Sequence, residues 1–189
     1  MRYLKITAQD DYDNDVIDAV YLEFFDGINP KPVAEALVMN TSEQDHGKLK
    51  WVLAEDINGN GVCNKVDGDL ARALARQFLK LKWWKVAPPF DRYLEIYSED
   101  LDLDGKPDLV RLRFHQGEGV PSDATLVKAA ACVFLNDCAG GNVTLHVNTN
   151  PTDDARNAAL VVDLCRDFLK CDWNNTRTTR PCSLVGEQR

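Results

Sequence analysis

One offset constrains this chain more than any motif does. Shifted by 90 positions against itself, RYLKITAQDDYDNDVIDAVYLEFFDG, beginning at Arg2, falls without a gap on RYLEIYSEDLDLDGKPDLVRLRFHQG, beginning at Arg92. Arg2, Tyr3, Leu4, Ile6, Asp10, Asp18, Val20, Leu22, Phe24 and Gly27 meet identical residues there. The same offset sets LARALARQFLKLKWW on LVVDLCRDFLKCDWN, pairing Leu70, Leu74, Arg76, Phe78, Leu79, Lys80 and Trp83 with Leu160, Leu164, Arg166, Phe168, Leu169, Lys170 and Trp173. One constant offset carrying both blocks implies a tandem duplication. The junction falls near Pro88 and Pro89, which break regular structure. The expected units are residues 1–90 and 91–189, either separate or packed as one globular domain.

Each half checks the other. Leu4, Ile6 and Ala8 alternate with polar residues, as do Val20, Leu22 and Phe24, and Leu94, Ile96, Val110, Leu112 and Phe114 repeat the pattern. These segments read as half-buried strands flanking an acidic loop. KLKWVLAE and NVTLHVN give a further strand in each half. Leu70, Leu74, Phe78 and Leu81, with Leu160, Leu164 and Phe168, stand at helical spacing. KPVAEALVM and PSDATLVKAAACVFL read as two more helices. The expected unit is therefore strand, acidic loop, strand, helix, strand, loop, helix, given twice: an α+β fold with an antiparallel sheet packed with helices.

Composition narrows the partners. With 189 residues, 44% of them hydrophobic, the chain can build a sizeable core without a staple. A net charge of -8 argues against nucleic acid and anionic membrane surfaces, which select for Lys and Arg. No apolar run is long enough to span a bilayer. The start, MRYLKITAQDDYDND, is polar where a signal peptide carries its apolar segment, which predicts a cytoplasmic start or an excised domain.

Much of the acid is concentrated in loops. In EDLDLDGKPDLVRLRF, Asp100, Asp102 and Asp104 put a carboxylate at every second position, Gly105 allows a sharp turn, and Asp108 closes the loop where a strand begins. Calcium takes six to eight oxygens, and a short loop supplies them in this way, with the Lys106 carbonyl as a further donor. The string resembles the calcium loops of FG-GAP and VCBS repeats and of related bacterial cell-surface modules.

A second loop, DINGNGVCNKVD, places Asp56, Asn58, Asn60, the Val62 carbonyl, Asn64 and Asp67 on the six ligand positions of an EF-hand loop, with Gly61 at the turn. It resembles the dockerin variant, whose twelfth ligand is Asp and whose loop leads into one helix. With two carboxylates its expected dissociation constant is roughly 0.1 to 1 mM. The other copy of each loop is degenerate: Asp10, Tyr12, Asn14, Asp15 and Asp18 replace the first set, and His146, Pro151 and Asn157 replace Asp56, Gly61 and Asp67. Asp11, Asp13 and Asp15 offer an alternative register in the first half.

Six cysteines, five of them in the second half, suit an oxidised, exported protein, and a Cys171–Cys182 bridge would tie the tail to the last helix. No CxxC pair suggests structural zinc. The three histidines stand in no catalytic motif. The expected protein is thus a non-catalytic calcium-binding module of an extracellular or cell-surface protein, with the ion supporting a surface for a protein or glycan partner. The alternatives are a dockerin-like assembly module exposing Trp83 or Trp84, and an enzyme using a Cys/His146 pair or magnesium-dependent phosphoryl chemistry, with a cytoplasmic location as the alternative address.

Overall fold

Strand-forming residues alternate along the chain, and the structure turns that alternation into one sheet. The computed structural model describes residues 1–10, 17–39, 51–83, 92–117, 121–134, 143–148 and 155–173. Its strands are β1 (Tyr3–Gln9), β2 (Ala19–Phe25), β3 (Ala34–Met39), β4 (Trp51–Ala54), β5 (Arg92–Glu99), β6 (Leu109–Gln116), β7 (Leu126–Phe134) and β8 (Val143–Asn148). Two helices, α1 (Lys65–Lys80) and α2 (Ala155–Leu169), follow β4 and β8. All eight strands join one antiparallel sheet in the order β4-β3-β2-β1-β5-β6-β7-β8.

At the centre β1 pairs with β5, placing Leu4 opposite Ile96 and Ile6 opposite Leu94. Because side chains alternate across a strand, Leu4, Ile6, Leu22, Phe24, Leu94, Ile96, Leu112 and Phe114 share one face, and all are buried. The apolar stripes of α1 (Ala71, Leu74, Ala75, Phe78) and α2 (Val161, Leu164, Cys165, Phe168) join the same core cluster. Each helix stripe needs a cover, and the sheet face supplies it.

The expected α+β organisation is corrected by this sheet. KPVAEALVM and PSDATLVKAAACVFL, read from sequence as helices, contain the strands β3 and β7. Tertiary pairing overrides the helix propensity of their alanines: β3 lies between β2 and β4, and β7 between β6 and β8. In β3 the period is two, with Ala34, Ala36 and Val38 buried and Glu35 exposed. A duplicated unit containing two helices therefore does not occur among the described residues; the chain is β-rich, with two helices packed on a single sheet.

The helix ends lock onto distant strands. The Trp83 ring meets Phe114 of β6 edge-on at 5.2 Å, and the Trp173 ring meets Phe24 of β2 edge-on at 5.5 Å. Arg92 lies over Trp83 at 4.5 Å and Arg2 over Trp173 at 5.0 Å. Indole nitrogens donate to backbone, Trp83 to the Tyr93 carbonyl and Trp173 to that of Phe25. Trp83 is therefore buried, and the exposed docking side chain expected of a dockerin-like helix is absent at this position. Trp84, the Pro88–Pro89 junction, Asp11, Asp13, Asp15, Cys138 and Cys182 lie outside the described residues. No helix among the described residues is long and apolar enough to cross a membrane.

Candidate metal centre

The loop between β5 and β6 is built by its own aspartates. The amide of Gly105 donates to Asp100 Oδ2 at 2.9 Å, that of Asp104 to Asp102 Oδ1 at 3.1 Å, and that of Lys106 to Asp104 Oδ1 at 2.8 Å. Asp108 Oδ2 accepts from the amides of Leu101 and Asp102 at 2.7 and 3.3 Å. The base of the hairpin is closed by Asp108, whose amide donates to the Glu99 carbonyl at 3.0 Å. Short polar side chains that bond to nearby amides suit such turns, and Gly105 supplies the left-handed backbone, φ 92°.

Each of these four aspartates engages loop amides through one oxygen. Carboxylate oxygens of Asp100, Asp102 and Asp108 all lie within 4.8 Å of one another. Oδ1 of Asp100 is buried with no hydrogen-bond partner. A buried, unpaired anionic oxygen is costly unless a cation or donor reaches it. A hard cation fits these donors, since all are oxygens, at least three are carboxylates, and the loop is short. Asp104 stands outside the converging group, and Lys106 is exposed.

The loop before α1 repeats this scaffold. The Gly61 amide donates to Asp56 Oδ2 at 2.6 Å, that of Asn60 to Asn58 Oδ1 at 3.1 Å, and that of Val62 to Asn60 Oδ1 at 2.8 Å. These bonds join the same loop positions as in the Asp100 loop. Gly61 has φ 85°, matching Gly105. Asp67, fully buried, closes the loop by accepting from the amides of Asn58 and Asn64 at 3.3 and 2.9 Å. Asn64 returns the favour to the helix, taking the Val66 amide at 2.8 Å and completing a capping box with Asp67.

The two loops differ in how much acceptor capacity remains. Asp56 uses both oxygens, on Asn60 and Gly61, and Asp67 uses both, on Asn58 and Asn64. The Val62 carbonyl accepts from the Asn64 side-chain amide at 3.0 Å. This loop satisfies itself and starts a helix, whereas the Asp100 loop leaves an oxygen unpaired. The β1–β2 connection has the same hairpin closure, with the Asp18 amide on the Gln9 carbonyl at 2.9 Å.

Sequence reasoning missed a polar array on the other sheet face. His115, fully buried, sets Nε2 3.3 Å from Glu95 Oε2 and Nδ1 2.9 Å from Thr125 Oγ1, and its ring stacks on Tyr93 at 4.8 Å. Arg113 Nη1 lies 3.6 Å from the same Glu95 oxygen. The same Thr125 Oγ1 lies 3.0 Å from the Ser122 carbonyl and 3.1 Å from the Tyr93 hydroxyl. The array ties the 122–125 turn to β5 and β6. Its signal was hidden because polar alternation along β5 and β6 reads as a solvated face. A concavity of about 700 Å³ lies over the same side of the sheet, bordered by Lys5, Thr7, Tyr21, Glu23, Leu37 and Leu53 among others, and it shares no lining residue with either acidic loop.

Comparison with protein-family models, curated proteins and solved structures finds no match for this chain.

Proposed function

We propose that this chain is a non-catalytic calcium-binding module in which the ion fixes the β5–β6 loop and supports a binding surface for a protein or glycan partner, in an exported or cell-surface protein. The observation that carries it is the buried, unpartnered Oδ1 of Asp100 beside the converging oxygens of Asp102 and Asp108. Asp104 and the Lys106 carbonyl complete the candidate set. The shared bonding pattern of the Asp56 loop supports a second, weaker site formed by Asp56, Asn58, Asn60, the Val62 carbonyl, Asn64 and Asp67. Its weaker rank follows from having fewer carboxylates, each already engaged by two amides.

Strand pairing already fixes the hairpin register, so the ion stabilises and does not reshape. Calcium at 100 times its dissociation constant adds about 2.7 kcal/mol, or roughly 5 to 10 °C in melting temperature for a chain of this size. Calorimetry on the chelator-stripped chain is expected to show a site that Asp100→Asn combined with Asp102→Ala removes. Absence of calcium heat at millimolar ion, with no shift in melting temperature, would overturn the proposal.

A further inference from the structure

We propose that Cys132 and Cys165 form a disulfide that ties sheet to helix, a modification site independent of the calcium loops. Cys132 lies on the core face of β7 beside Ala130 and Phe134, and Cys165 lies on the core stripe of α2 between Leu164 and Phe168. Their Sγ atoms are 3.1 Å apart, about 1 Å beyond a covalent S–S bond of about 2.05 Å. Both residues are fully buried. A zinc site needs four ligands, and among the described residues no His, Cys, Asp or Glu completes a group of three with them.

The chemistry is thiol–disulfide exchange with a small-molecule or protein disulfide as oxidant. The Cys132 thiolate attacks one donor sulfur and expels the first donor thiol. Cys165 then attacks the Cys132 sulfur of the mixed disulfide and expels the second. Two protons and two electrons pass to the donor, which leaves as two thiols. Cys132 is the better first nucleophile: the hydrogen bond from Cys165, aided by the Arg166 charge, lowers its pKa, whereas burial raises that of Cys165. Since both thiols are buried, the exchange takes place during folding or when α2 opens locally.

The bridge acts at one edge of the sheet. Strand β8 pairs only with β7, at the end of the sheet, and it lies in the chain between the two cysteines. Closing a loop across 33 positions of sequence restricts the unfolded chain and holds both flanks of that strand.

The test uses the full chain treated with oxidised glutathione, denatured, alkylated and mapped by mass spectrometry. The expected result is a mass loss of about 2 Da and a peptide joining Cys132 to Cys165, with a fall in melting temperature of about 10 °C on reduction. A Cys132→Ala, Cys165→Ala chain should lose that dependence on reductant. Alkylation of both Cys132 and Cys165, or linkage of either to another cysteine, would overturn the proposal. The peptide map of the unaltered chain decides even if the double variant fails to fold.

Discussion

Leu103 and Gly59 occupy the same left-handed position of two similarly bonded loops, with φ of 63° and 66°. Both stand fourth in their loop, two residues before the turn glycines Gly105 and Gly61. At Gly59 the backbone is adopted freely; at Leu103 the side chain is strained by about 1 kcal/mol or more. The Leu103 side chain is 84% exposed, so its removal forfeits little packing. Leu103→Gly is therefore expected to stabilise the fold by roughly 0.5 kcal/mol, the relief of strain being offset in part by the freer unfolded chain. Urea unfolding reads the change, and a loss above about 1 kcal/mol would contradict the strain argument.

The crossed tryptophans imply that the sheet cannot melt in halves. Trp83 ends the α1 region and packs on β6, while Trp173 ends the α2 region and packs on β2. Each is a large buried ring with a hydrogen-bonded nitrogen and an Arg over its face. Trp83→Ala or Trp173→Ala is expected to cost about 3 to 5 kcal/mol. Scanning calorimetry should give one transition, with calorimetric and van't Hoff enthalpies equal. Two resolved transitions would show that the halves are thermodynamically separate.

The same residues explain what could be read in advance. Strands β1, β2, β5 and β6 were legible because Leu, Ile, Val and Phe alternate with polar residues, and α1 because Leu70, Leu74, Phe78 and Leu81 stand at helical spacing. Strands β3 and β7 were not. Their buried positions include Ala34, Ala36 and Ala130, which carry little hydrophobic contrast and favour helices in isolation. Only pairing with neighbouring strands makes them extended. Spacing grouped Asp100, Asp102, Asp104 and Asp108 in one loop, but the convergence of Asp100, Asp102 and Asp108 without Asp104 was not legible, because it depends on the folded path of the turn. The His115 array needed the pairing of Tyr93 with His115 across β5 and β6 before its members could be seen together.

Alkaline pH provides a test of the packing between α2 and α1. Cys171 is fully buried, and burial, with the charges of Asp167 and Asp67 against a smaller opposing effect of Lys170, pushes its thiol from the ordinary 9.0 up to about 12. In the folded chain the proton is retained; in the unfolded chain it leaves near pH 9. Below that value both states are protonated and the full stability is present. As pH rises from 9 towards 12 the unfolded state alone gains by ionising, at about 1.4 kcal/mol per pH unit, so folding loses about 4 kcal/mol across the window. Cys171→Ala removes this dependence while costing roughly 1 to 2 kcal/mol at pH 8 through the lost sulfur contacts. Denaturant titrations under reducing conditions at pH 8 and 11 are therefore expected to show the variant less stable than the parent at the lower pH and equal or more stable at the higher. A parent and variant that lose stability in parallel between those values would show that the thiol is not held in its neutral form by the fold.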